Sequence, residues 1–210
     1  MARAAHTCSL FYTGTTTAVV GEACSVVSGG VLVYEITDAA KRIIDPNASV
    51  IVYKAGVPIA VGVNYLFGRF TFAVDPSPDA ITADISYLPR HELTSTREFS
   101  ASFAADMSDT TTLDSTGFKT MQHTLLDCSG SFSALDIGLT DFGGGTLADW
   151  LLLNQSKVIE LNLVDEIVRC WALIESVEPS GSVDGLVELS IGWQLDAQLS
   201  GTVAFGFVAA

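Results

Sequence analysis

A chain of 210 residues that is 49% apolar and 16% charged is long enough to bury a core and too hydrophobic to remain disordered. Soluble domains carry roughly 25% charged residues, so this surface is poor in charge and rich in Ser, Thr and Gly, as in an extended β-protein or one covered by neighbouring subunits. Ten basic against 24 acidic residues leave a net charge of −14, which excludes tight nucleic-acid binding through clustered Lys and Arg but not a wall past which DNA slides without sticking.

From the N-terminus, the apolar run Leu10-Phe11-Tyr12 is broken by Thr13-Gly14-Thr15, too short for a signal-peptide core. No stretch approaches the roughly 18 apolar residues of a membrane span, and assembly in a cytoplasm is the expectation. Residues 1–30 fit no clear pattern and are expected to form a segment or arm ahead of a β domain over 31–200, with 201–210 as a C-terminal segment. A short helix is expected over 37–44, closed by Asp45-Pro46-Asn47. Residues 49–53 read as a strand ended by Lys54-Ala55-Gly56, and 59–67 as a second, rich in β-branched and aromatic residues. Gly68-Arg69 turns that run into a strand over 70–74. Asp75-Pro76-Ser77-Pro78-Asp79 interrupts any ladder because two prolines remove donors, and alternation resumes over 81–87 until Pro89.

In the second half, Phe99, Ala101 and Phe103 share one strand face, opposite Ser100, Ser102 and Ala104. Cys128, Gly130 and Phe132 alternate with Ser129, Ser131 and Ser133. A helix is expected over 146–154, with Leu147, Trp150 and Leu151 at helical spacing and Thr146 as N-cap. Residues 158–164, 168–177 and 186–195 are each long enough to cross a sheet. In the last, Val187, Leu189, Ile191, Trp193 and Leu195 form the apolar face, and Glu188, Ser190, Gly192 and Gln194 the polar one. The expected core is anchored by Phe99, Phe103, Phe132, Trp150, Trp171 and Trp193. The fold class is mainly β.

Catalysis and metal binding need convergent groups, and few are in evidence. Cys8, Cys24, Cys128 and Cys170 are widely separated and form no CxxC pair, so they are expected as reduced thiols packed as small hydrophobes. His6, His91 and His123 fall in three segments; His6 and Cys8 make the nearest approach to ligand spacing. Gly143-Gly144-Gly145-Thr146 before a helix resembles a phosphate cradle, but it lacks the Lys-Ser/Thr pair and follows the acidic Asp141. Asp106, Asp109 and Asp114 do not match a calcium-loop spacing, and no G-x-S-x-G elbow is present. No catalytic residue, metal ligand or cofactor is therefore assigned.

At Asp84-Ile85-Ser86-Tyr87-Leu88-Pro89 a succession of motifs begins. It continues through Glu98-Phe99-Ser100-Ala101-Ser102-Phe103, Asp109-Thr110-Thr111-Thr112-Leu113-Asp114 and Gly117-Phe118-Lys119-Thr120 to Cys128-Ser129-Gly130-Ser131-Phe132. A Gly-rich turn, a helix around Trp150, Ile159-Glu160-Leu161-Asn162-Leu163, Trp171-Ala172-Leu173-Ile174-Glu175-Ser176-Val177 and a closing strand at Glu188 follow. In this order the chain resembles the major tail tube proteins of long-tailed, siphovirus-type bacteriophages. The resemblance implies a tail-tube-type β-sandwich or half-barrel with one short packed α-helix. Six copies would close each ring, and rings would stack into a tube that conducts DNA without binding it. Implied partners are further copies of itself and tape-measure, tail-terminator and baseplate or tip proteins, with no membrane and no cofactor. Glu160 and Glu188, on polar strand faces, are expected either to line the lumen or to face solvent. The hairpin at Lys54, Ala55 and Gly56 is expected to reach the next ring. Alternatives are a head–tail connector, a tail terminator, a capsid decoration protein or the tube of a contractile secretion-type system. An enzyme or ligand-binding sandwich would need a convergent polar pocket.

Overall fold

A computed structural model describes residues 9–27, 32–77, 79–93, 96–110, 121–135, 156–163, 166–181, 188–196 and 205–209. The expected helix over 146–154, with Trp150, lies outside them, as do Cys8, Asp114 and the glycine turn at 143–145. Within them the chain is mainly β, and every strand pairing is antiparallel.

The strands are β1 Ser9–Thr13, β2 Thr17–Val26, β3 Val33–Ile36, β4 Ile51–Lys54, β5 Val57–Ile59, β6 Gly62–Asn64, β7 Arg69–Thr71, β8 Ile81–Tyr87 and β9 Arg90–Glu92. They continue with β10 Thr96–Asp109, β11 Met121–Leu135, β12 Lys157–Asn162, β13 Glu166–Ser180, β14 Glu188–Leu195 and β15 Phe205–Ala209. The large sheet runs β10-β11-β14-β13-β12-β1-β9, with β15 also on β13, and the small sheet runs β5-β4-β8-β2-β3-β7-β6. The chain changes sheet after β1 and returns after β8. Residues 9–26, expected within an arm, thus supply one strand to each sheet: β1 lies between β12 and β9, and β2 between β8 and β3.

Alternation places the core. Leu189, Ile191 and Trp193 of β14 are buried with Phe132, Cys128 and Ile174 in the large sheet's core. The small sheet encloses Ile36, Val52, Phe70, Ala83 and Ile85. A third cluster, Ile43, Leu66, Phe67, Leu88, Val158 and Trp171, joins residues of both sheets. Through it the two sheets bury apolar area against each other, which stabilises at roughly 25 cal/mol per Å².

Two local expectations are corrected. The apolar run 59–67 is not one strand: Ile59 ends β5, Gly62–Asn64 forms β6, and residues 65–68 turn. The Asn64 side-chain oxygen accepts from the Leu66 and Phe67 amides at 3.2 and 3.3 Å, and so drives that turn. Leu66 and Phe67 are hydrophobic because the turn is buried in the joint. Gly68 completes it at φ 62°, where an added Cβ would lie 2.7 Å from the Arg42 carbonyl oxygen. Over 37–44 the structure has a single 3-10 turn, Ala39–Lys41, capped by the Asp38 carboxylate accepting from Ala40 N. Its basic Lys41 pairs with Glu22 and Asp38 at 2.6 and 3.3 Å.

Candidate assembly surface

Glu160 does not stand on a solvent-facing strand face. It is 1% exposed, and its carboxylate accepts from Arg169 Nε at 2.7 Å and from Arg90 Nη1 at 2.7 Å. Arg169, directly opposite on β13, also donates to the Leu66 carbonyl at 3.0 Å and stacks over Phe67, 5.3 Å from the ring centroid. Burial lowers the Arg169 pKa and the adjacent Glu160 charge opposes that shift. The expectation of Glu160 in a lumen is corrected. Its face of β12 is covered by the small sheet, so it serves as a buried counter-ion at the joint.

Glu188 sits differently. Its side chain is 36% exposed and lies 3.8 Å from Arg97 Nη1. It belongs to the polar face of β10, β11, β14 and β13, whose residues align in rows across four strands. One row is Glu98, Ser133, Ser190 and Glu178; the next is Ser100, Ser131, Gly192 and Ser176. The Ser100 and Ser131 hydroxyls are 3.0 Å apart, and the Ser131 amide also donates to Ser100 Oγ. Small hydroxyls and carboxylates pave this face. Such a surface stays hydrated, and its carboxylates repel a polyanion.

The hairpin at Lys54, Ala55 and Gly56 is short. Val52 pairs with Ile59 and Lys54 with Val57 around Ala55 and Gly56 at φ 49° and 80°, a two-residue turn with both φ positive. Lys54 is drawn back to Asp79 at 3.3 Å. The long hairpin of this chain is β10–β11 instead. Its strands pair from Thr96 to Asp109, but among the described residues β14 accompanies β11 over 129–135 alone. Residues 103–109 and 121–128 thus run on as a two-stranded arm of roughly 20 Å at the ordinary rise per residue. On the arm Met107, Met121 and Leu126 are 50%, 43% and 61% exposed. Phe103, an expected core residue, is 41% exposed because the arm has outrun the sheet; it packs on Phe205 and Phe207, with ring centroids 5.6 and 5.2 Å away. Among the described residues, β10 pairs with β11 alone, so its other edge is open.

The other expected core positions fall as follows. Phe132, Trp171 and Trp193 are buried, and Phe99 packs on the core from a half-buried position. Cys128 and Cys170 are buried free thiols, and burial pushes the Cys24 thiol up to about 12. Among the described residues no group of three or more His, Cys, Asp or Glu could hold a metal ion, and no helix is long and apolar enough to cross a membrane.

No family model and no curated protein matches the chain. Among solved structures it is similar, at 18% identity and a TM-score of 0.46, to a chain from the tail of an empty gene transfer agent particle refined with helical and C6 symmetry, over 58% of this chain and 87% of that one. It is also similar, at 17% identity and a TM-score of 0.44, to a chain from the virion of a native gene transfer agent particle, over 57% of this chain and 89% of that one.

Proposed function

We propose that this chain is a structural subunit of a phage-type virion tail, and that its copies associate into rings that stack as the DNA-conducting tail tube. The observation that carries self-association is the β10–β11 arm. A two-stranded hairpin alone is marginal in water, and among the described residues this one carries exposed Met107, Met121 and Leu126 and one edge without a paired strand. Strand addition by a neighbour would satisfy the edge and cover the methionines and Leu126 together. The order of motifs from Asp84 to Glu188 supports a tail tube among such assemblies.

In this reading the serine-paved face of β10, β11, β14 and β13, with Glu98, Glu178 and Glu188, is turned to the lumen, where carboxylates repel DNA phosphates. Glu160 has no part in it. The subunit acts in the virion tail after assembly in the host cytoplasm, alongside tape-measure, terminator and tip proteins, and without catalysis.

Negative-stain electron microscopy of the concentrated protein, with a sizing column alongside, tests this. Hollow tubes or stacked six-fold rings are expected. Rings that never stack would replace the tube by a connector, and a monomer at every concentration, even when offered preformed tube ends, would remove the assembly reading.

A further inference from the structure

The strand order puts β9 and β10 at opposite ends of the large sheet, yet the chain joins them almost directly. Thr96 follows Glu92 by four residues, so their Cα atoms lie within about 14 Å. The Leu93 carbonyl accepts from Thr96 N at 3.4 Å and from Thr96 Oγ1 at 2.9 Å, which tightens the join. Leu93 N donates to the Leu10 carbonyl at 2.9 Å, and the Leu93 side chain is buried in one core with Phe132 of β11. The sheet is therefore curled until its two ends meet at residues 93–96. From there a seam runs between β1 and β10.

Register defines both sides of the seam. Six antiparallel steps separate β10 from β9, so the two strands run in the same sense. β1 opposes them, with Phe11 across from Glu92 and Thr13 across from Arg90, and the Leu10–Leu93 bond continues that ladder. Followed back from Leu10 towards lower numbers, β1 thus heads the way β10 heads from Thr96 onward. At Ser9 its other edge is still paired with β12, opposite Asn162, so the chain enters the seam extended. β10 has β11 on one edge and, among the described residues, no strand on the seam side. Residues 1–8 lie outside the described residues. Eight extended residues span roughly 26 Å, against roughly 24 Å from Thr96 to Phe103. Charge favours the match: residues 1–8 hold Arg3 and His6 and no acid, whereas β10 carries Glu98, Asp106 and Asp109 against Arg97.

We propose that residues 1–8 continue β1 through this seam and pair antiparallel with β10 of the same chain between Thr96 and Phe103. The edge left for a neighbouring copy is then the arm beyond Phe103. The pairing belongs to the single chain and does not depend on assembly.

Backbone amide exchange, followed by NMR in dilute, dispersed full-length protein, tests it. A strand bonded on one side protects alternate amides, and one bonded on both sides protects successive ones. Slow exchange at successive residues from Glu98 to Ser102 is expected. Ala4→Pro with Ala5→Pro removes a donor from each edge of the segment. In this full-length variant alternate β10 amides should exchange about tenfold faster, while those bonded to β11 keep their rate. Should the variant lose the β11-bonded amides too, Arg3→Glu takes its place; it sets an acid against an acidic strand and should speed the same alternate amides. Alternate protection in the wild-type protein overturns the pairing, as does two-sided protection that these variants leave unchanged. Two-sided protection that appears only on concentrating the protein gives the edge to a second copy and overturns it equally. Because the protein is read dispersed, a failure of the tail reading leaves each of these outcomes distinct.

Discussion

A single carboxylate holds the joint between the sheets at Glu160. Two guanidinium groups converge on it, one of them from Arg169, whose side chain is 5% exposed. Removing one partner from such a buried group costs more than the pair itself contributes, because the remaining charges stay desolvated. Glu160→Ala is expected to destabilise by about 3–5 kcal/mol, read as a lower urea midpoint with an unchanged slope. Arg90→Ala should cost far less, since that side chain is 25% exposed. Equal losses would mean that solvent already reaches Arg169. Glu160 was misplaced because period two describes one strand at a time. It shares a face with Val158, which is buried against the other sheet, whereas Ile159 and Leu161 face the large sheet's core. A charge inside the run Val158-Ile159-Glu160-Leu161, facing another inside Val168-Arg169-Cys170-Trp171, was the available signal. Gly130 is the second informative residue. A Cβ there would lie 2.2 Å from the Ser100 carbonyl oxygen and 2.5 Å from Trp193 Cζ2. Neither neighbour can yield, one being backbone and the other a ring in the core. Gly130→Ala should therefore cost about 1–3 kcal/mol and disturb the β10–β11 register; wild-type thermal stability would show that the strands part at no cost.

Elements explain which expectations survived contact with the fold. Long amphipathic strands were legible: residues 81–87 coincide with β8, and the apolar face Leu189-Ile191-Trp193 is buried as the alternation requires. Strands of three or four residues, such as β3 and β9, are too short for a period to register. β2 escaped for another reason. It is mostly exposed, and its ladder slips between Val19 and Glu22 at Gly21, whose amide is taken by the Asp84 carboxylate at 2.8 Å. For β10 the alternation was correct but the burial was not, because nothing local reports that the third strand stops while the hairpin continues. The same feature makes the arm the natural place to separate assembly from folding. Met107→Asp with Leu126→Asp changes two exposed side chains. It should leave the unfolding free energy of the dispersed protein within about 0.5 kcal/mol of wild type and abolish tubes or rings in the microscope. Assemblies of normal yield in this variant would place the interface elsewhere.

At the scale of the whole molecule, charge and assembly oppose each other. Each copy carries −14, so approaching copies repel at long range while the contacts proposed for them are apolar and hydrogen-bonded. Salt screens the first and leaves the second largely intact, because the Debye length falls from about 30 Å at 0.01 M to about 3 Å at 1 M. Most described cations are already held within the chain: Lys41 by Glu22 and Asp38, Arg42 and Arg69 by Glu35, Lys54 by Asp79, and Arg90 and Arg169 by Glu160. They are poorly placed to bridge copies. The concentration at which light scattering first reports assembly should therefore fall steadily as sodium chloride is raised from 0.01 to 0.5 M, and tubes formed in high salt should shorten on dilution into low salt. The opposite slope would mean that exposed ion pairs hold the copies together, and would move the interface from the β10–β11 arm to the charged rims of the two sheets.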